Sequence, residues 1–207
     1  MISSLATPNS FRLLSRAVLI MFVASFLSAC GINNIPTYEE NAKAKWSQVL
    51  NMYKRRSDLI PNLVETVKGF AAQEKDVLTS VIEARAKATS IQVTPEMLNN
   101  PDLVKQFMDN QGKLSGALSK LLVTVERYPD IKSGANFLAL QSQLEGSENR
   151  IGVARRDYIE AVRLYNTELK TIPGRWWRSW MYPQNDPLAT FDVAPEETVT
   201  PKVKFDN

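Results

Sequence analysis

From Trp46 to Ala84, apolar and aromatic side chains recur every seven residues in two interleaved sets. One set is Trp46, Tyr53, Ile60, Val67, Glu74 and Val81, and the other is Val49, Arg56, Leu63, Phe70, Val77 and Ala84. Only Glu74 and Arg56 break the pattern, and this spacing belongs to a helical stripe rather than to strand alternation. A stripe so long must be buried against another. A second one carries Phe107, Leu114, Leu121 and Tyr128, interleaved with Val104, Leu118 and Val125. A third runs through Phe137, Leu140, Leu144, Ile151, Tyr158, Val162, Tyr165, Leu169 and Ile172. Pro101 and Asp102 suit the first turn of the second helix, Pro129 forbids its continuation, and Pro173 with Gly174 stops the third. There is no internal repeat and no Gly-rich phosphate loop. The expected fold is all-α: an elongated up-and-down antiparallel bundle of three to four long helices.

Within the first stripe, RRSDLIPNLVETVKGF places Pro61 in an otherwise unbroken helical pattern. Two readings are open. One is a single helix kinked by the loss of one backbone hydrogen bond; the other is a tight reversal over Ser57 to Ile60 with Pro61 opening a new helix. Both bend the chain at residues 57–61 and divide three stripes into four helical pieces. The link from Thr89 to Asn100 exceeds the roughly 2 to 8 residues usual in bundles and reads as a site of mobility. Beyond Pro183 the stretch PQNDPLATFDVAPEETVTPKVKFDN has no helical period. It is expected to be an extended tail lying along the bundle through Phe191, Val203 and Phe205.

The residue types present restrict the chemistry. The chain has no histidine, and Cys30 is its one cysteine. Zinc sites built on His or Cys, Ser-His-Asp triads and Cys-His dyads therefore have no base or ligand to use. No metal, no cofactor and no catalytic residue is assigned, although carboxylate and lysine chemistry stays open. Of 25 Lys and Arg, Arg12 and Arg16 precede Cys30, which leaves 23 against 22 Asp and Glu. That balance argues against a nucleic-acid partner, which demands a concentrated basic field.

The segment RLLSRAVLIMFVASFLSAC, residues 12–30, sets Arg12 and Arg16 before an apolar run from Ala17 to Leu27. The run falls short of the roughly 20 residues that span a bilayer and has the size of a signal-peptide apolar region. Its ending, LSAC, resembles a bacterial lipobox, in which Cys30 is acylated and the leader is removed before it. Several acyl chains hold a protein stably where one is marginal. The expected layout is a signal peptide at 1–29, a membrane-proximal tether at 30–37, a helical bundle at 38–173, and a Trp/Arg segment with an extended tail at 174–207. The expected address is the bacterial cell envelope, with the bundle outside the cytoplasm. Gly31 after the cysteine, by resemblance to Gram-negative sorting rules, favours the outer membrane where the source has one.

Several stretches resemble the LemA family: WSQVLNMYKRRSDLIPNLVETVKGFAAQE, VERYPDIKSGANFLALQSQLEGSENRI, VARRDYIEAVRLYNTEL, Pro173 and the terminal PKVKF. The resemblance implies an all-α bundle at a bacterial membrane and no agreed biochemical activity. Gln73 stands where many members carry histidine, Ile159 where an asparagine commonly follows the tyrosine, and a lipobox where many relatives keep a transmembrane helix.

Arg55, Arg56, Asn62, Glu65, Glu74, Glu148, Asn149, Arg155 and Arg156 are the polar residues within or beside the stripes. A charge on an apolar stripe must be paired, because desolvation costs several kcal/mol per ion. Ion pairs across helices that fix their register are the expected outcome. The competing reading has Glu74, Glu148 and Glu65 converging as the acid and base of a hydrolase. RWWRSWMYP supplies a candidate interface of Arg175, Trp176, Trp177, Arg178 and Trp180, either a plug over the bundle end or a contact with membrane or partner. The leading functional expectation is a non-enzymatic envelope lipoprotein, held to the bilayer through acylated Cys30 and serving as scaffold or adaptor for envelope or membrane proteins. The second is a binding module for an extracytoplasmic small molecule, peptide or cell-wall fragment, and the third a carboxylate hydrolase.

Overall fold

A computed structural model describes residues 13–21, 31–70, 73–91 and 94–191. Its body is four helices, α1 (Asn34–Val67), α2 (Lys75–Ser90), α3 (Pro101–Val125) and α4 (Ala135–Glu168), with a short α5 (Gly174–Met181) at one end. The described residues contain no strand, and the chain is all-α as its periodicity requires. Residues 13–21 are helical with exposed side chains, and no described helix is long and apolar enough to cross a membrane.

Side-chain bridges define the directions. Asn34 meets Glu168, Lys45 meets Asp157 and Arg56 meets Glu148, so α4 runs back along α1. Glu74 meets Arg127, and Gln111 donates to the carbonyl of Ala88, so α3 runs back along α2. Tyr53 reaches Met108 and Arg56 reaches Gln111 three residues later, which makes α1 and α3 parallel. The result is an up-down-up-down bundle. Asn100 caps α3 by accepting from the amides of Asp102 and Leu103, with Pro101 at its first position.

Of the two readings of Pro61, the single helix holds and the reversal over Ser57 to Ile60 does not. Pro61 sits inside a continuous α1, and the chain reverses after it, through a short 3₁₀ turn at Lys68–Phe70 and the start of α2 beyond Glu74. An interior proline costs about 3 kcal/mol. Pro61 itself is exposed, while Ile60 and Leu63 beside it are buried, so packing of the stripe outweighs that cost. Gly69, a poor helix former, stands where the helix gives way.

Three further expectations are corrected. Helix α1 begins at Asn34 rather than near Tyr38: Gly31, at φ +100°, closes a turn onto the amide of Asn34, and Ile35 is buried. The left-handed backbone at residue 31 suits glycine alone. In the link between α2 and α3, residues 97 and 98 are packed rather than loose, because Met97 and Leu98 enter the core and the Leu98 carbonyl accepts from the amide of Ala189. Ile172, assigned to the third stripe, is 65% exposed beyond the end of α4. The tail does lie along the bundle as far as it is described. Leu188 and Phe191 are buried, and Asn166 clamps residue 188 by accepting from its amide and donating to its carbonyl. Val203, Phe205 and Cys30 lie outside the described residues.

The core divides into two apolar clusters along the bundle axis. One is built from Ile35 to Tyr53, the second half of α4, the start of α3, Met97, Leu98, Leu188 and Phe191. The other joins Ile60 to Val67 with α2, the rest of α3, Ile131, Phe137 and Leu144. Between them, buried Arg56, Ser57, Gln111 and Ser147 form a polar layer.

Candidate functional site

Arg56 occupies a stripe position, so the packing that buries its neighbours carries its guanidinium inward to 1% exposure. Its Nη1 donates to Glu148 Oε1 and to Ser115 Oγ at 2.7 Å. Its Nη2 donates to Oε1 of Gln111 at 2.7 Å and to the Gln111 carbonyl at 3.3 Å, and its guanidinium carbon lies 5.2 Å from the centre of the Tyr53 ring. Gln111 passes the connection on by donating to the Ala88 carbonyl, and Arg85 Nε donates to the Ser57 carbonyl at 3.0 Å. One layer thus ties all four helices together. The Nε of Arg56 and the Oγ of Ser57 are buried without a partner among the described residues.

The other sequence-selected residues do not converge on this layer. Glu74, at the head of α2, accepts from Arg127 at 2.8 Å and from the Tyr128 hydroxyl at 3.1 Å, beside Gln73. Glu65 is exposed and faces Lys68 at 3.3 Å. Arg55, Asn62, Asn149 and Arg156 are exposed. Arg155 is half-buried, its guanidinium 5.0 Å from the centre of the Phe191 ring. Glu65, Glu74 and Glu148 therefore serve three separate ion pairs, and the geometry of paired acid and base that a carboxylate hydrolase uses is not formed by them.

Two clefts flank the polar layer. One, of about 420 Å³ between α1, α3 and α4, is lined by Arg56, Ser115, Lys113, Glu148 and Arg155. The other, of about 450 Å³ between α1, α2 and α3, is lined by Ser57, Arg85, Thr89, Ile91 and Phe107. Tyr53 and Gln111 border both. Gln111 escaped the sequence reading although it had a signal: it is the polar member of the series Val104, Gln111, Leu118, Val125.

Below the layer, Trp46 stacks among Phe107, Tyr158 and Phe191, with ring centres 5.1 to 5.8 Å away. Burial pushes the Tyr158 phenol far above its ordinary range and also raises Tyr53 and Tyr165. The Tyr158 hydroxyl donates to the Ala189 carbonyl at 2.7 Å. An unfolded tyrosine loses its proton near pH 10, whereas folded Tyr158 keeps it. The unfolded chain then binds fewer protons, and stability falls as pH rises past that point. Urea unfolding at pH 9 and pH 11 is expected to show the decline. Tyr158→Phe is expected to make it shallower, while costing about 1 to 3 kcal/mol at neutral pH for the carbonyl left unpaired. An unchanged slope in the variant would show that other groups carry the alkaline limb.

At the bundle end, α5 presents Trp176 and Trp180 outward, at 57% and 80% exposure, while Trp177 is half-buried with its indole nitrogen inside. Arg178 pairs with Asp186 at 3.2 Å, and Arg175 is exposed.

The chain is similar to several known proteins. It is 26% identical over 181 residues to magnetosome protein MamQ 2 of Paramagnetospirillum magneticum, covering 80% of this chain and 66% of that protein. Magnetosome protein MamQ of Magnetospirillum gryphiswaldense is 24% identical over 171 residues, covering 75% of this chain and 62% of the relative. Protein LemA of Metamycoplasma hominis is 24% identical over 119 residues, 58% of this chain and 50% of the relative. The chain thus spans two thirds or less of the length of these relatives. The model of the LemA family matches residues 45–205, from just before Trp46 through the bundle, α5 and the tail, and the chain belongs to the LemA family.

Proposed function

We propose that this LemA-type protein is a membrane-anchored envelope lipoprotein without catalytic activity, whose bundle acts as a rigid scaffold or adaptor for envelope or membrane proteins. The observation that carries the reading is how the interior polar groups are used. Arg56, Glu148, Gln111 and Ser115 are consumed in holding helices to one another, and Glu65 and Glu74 are spent on other ion pairs. A buried charge locked in this way favours one helix register over its neighbours, which is what a scaffold with fixed faces requires. Exposed Ile82, Val123, Leu138 and Val153 on α2, α3 and α4 give such faces apolar points of contact.

Anchor and scaffold have separate tests. Mass spectrometry of protein extracted from membranes is expected to find Cys30 as the N-terminal residue, carrying acyl chains; an unmodified Cys30 behind an intact leader ends the anchor. Photo-crosslinkers placed at Ile82, Val123, Leu138 and Val153 in cells are expected to yield a discrete protein adduct from at least one position. Absence of any adduct from all four removes the scaffold.

A second reading has one specific observation in its favour. The two clefts beside the polar layer are large enough for a small molecule and combine aromatic walls with convergent Arg, Glu and Gln groups. Both open to solvent, as a binding module for an extracytoplasmic small molecule, peptide or cell-wall fragment would need.

A further inference from the structure

We infer that α5 is a lipid-docking helix: Trp176 and Trp180, beside Arg175, Arg178 and Lys170, seat one end of the bundle on a bilayer that contains anionic phospholipid. The inference rests on the membrane anchoring proposed above and deepens it, since it says which end of the molecule lies on the lipid and through which side chains.

The first support is position. The Asn34 side chain donates to Glu168 Oε1 at 3.2 Å, which joins the start of α1 to the end of α4. A methyl group added at Gly31 would stand 3.6 Å from the ring of Pro173, the residue that immediately precedes α5. Residues 31–33 alone separate Cys30 from α1, and a chain that short reaches at most about 14 Å. An acyl group on Cys30 would therefore enter the bilayer beside α5, and this end of the bundle would have lipid as its nearest neighbour.

The second support is the orientation of α5. A Cβ at residue 174 would lie 2.2 Å from the Glu168 carbonyl, so only glycine permits this approach of α5 to the end of α4. Trp177 turns inward from that junction, whereas Trp176 and Trp180, one helical turn apart, turn outward together with Met181, and Ile172 lies exposed just ahead of them. Indoles combine a large apolar body with a polar N–H, a combination that concentrates at the headgroup level of membranes.

The third is charge. Lys170, Arg175 and Arg178, with Leu169, Ser179 and Pro183, line an open groove of about 570 Å³ at the same end of the bundle as the exposed indoles. Of these cations only Arg178 has an acidic partner among the described residues, Asp186. Guanidinium groups bind phosphate through paired N–H donors, and each basic residue near an anionic surface adds about 1 kcal/mol. A protein partner would have to displace the bilayer from this end, and lipid is therefore the occupant.

The test uses the full acylated protein, extracted from membranes and reconstituted into phosphatidylcholine vesicles with and without phosphatidylglycerol, both carrying bromine-labelled acyl chains. With phosphatidylglycerol present, bromine is expected to quench roughly half of the tryptophan emission, because two of the four tryptophans face outward. The variant carrying Trp176→Phe and Trp180→Phe retains buried Trp46 and half-buried Trp177 and is expected to lose that quenching. Flotation of the same vesicles reads anchoring separately. Protein that floats without bromine quenching overturns the docking and leaves the anchor standing. Protein that neither floats nor is quenched overturns both, and equal quenching without phosphatidylglycerol overturns the role of the arginines. Quenching in excess of the double variant, strongest in anionic vesicles, supports the inference.

Discussion

Glu148→Ala is expected to destabilise the fold by about 3 kcal/mol, and Arg56→Met by less, about 1 to 3 kcal/mol. The order follows from burial. Glu148 is 45% exposed in its side chain, so once its partner is gone water can solvate it; Arg56 is 1% exposed and cannot leave. Removing the carboxylate strands a cation among Tyr53, Gln111 and Ser115, with neutral acceptors as its only compensation. Partial solvation of Glu148 places the first figure at the low end of what breaking a buried ion pair costs. Glu148→Gln keeps an acceptor for Nη1 and is expected to fall between wild type and Glu148→Ala. Combining Arg56→Met with Glu148→Ala removes the charge and its partner together, and its cost is expected to fall well short of the sum of the single changes. Urea unfolding monitored by helical circular dichroism measures each step. A Glu148→Ala protein within 0.5 kcal/mol of wild type would show that the pair contributes nothing to stability. A Glu148→Gln protein that melts normally but loses a measurable hydrolytic activity would revive the carboxylate chemistry.

Trp46→Ala is expected to be worse, at about 3 to 5 kcal/mol. Trp46 is 2% exposed and belongs to an aromatic cluster that joins α1, α3, α4 and the tail, through Phe107, Tyr158 and Phe191. Truncation leaves a cavity that the stiff rings around it cannot fill, and aromatic pairing adds to the area lost. The tail should loosen as well, because Phe191 stacks on Trp46 and Tyr158. Limited proteolysis gives a reading that melting does not: cleavage near residues 183–191 is expected to accelerate in Trp46→Ala and to stay slow in Glu148→Ala, whose lesion lies in the polar layer. Equal protection of the tail in both proteins would mean that Asn166 and Tyr158 hold it without the indole.

The contrast between these two sites shows what a reader of the sequence could see. Helices were legible because a seven-residue apolar repeat has one geometric interpretation, and Arg56 and Glu74 stood out as the charges within it. Their partners were less accessible. Glu148 lies near Arg56, and Arg127 near Glu74, through the relative shift of helices that a one-dimensional pattern does not encode. Gln111 was available in principle, as the polar member of its own repeat. At Pro61 the local rules left two readings open, and burial of Ile60 and Leu63 on either side decides for the single helix: it runs through the proline and ends only at Val67. Met97 and Leu98 were missed because a segment without period offers no clue to which of its apolar residues turns inward. The outward pair Trp176 and Trp180 had been noticed as composition; that Pro173, just ahead of their helix, meets Gly31 emerged only once the chain was closed back on itself.

Thirty-four residues of helix in α1, matched by thirty-four in α4, make a strut about 50 Å long. Gly31 and Pro173 meet at its base, and Glu74, Arg127 and Tyr128 crown its summit. Whatever holds the base therefore sets the altitude of the crown, and a molecule touching one extremity is kept half a hundred ångströms from anything gripping the other.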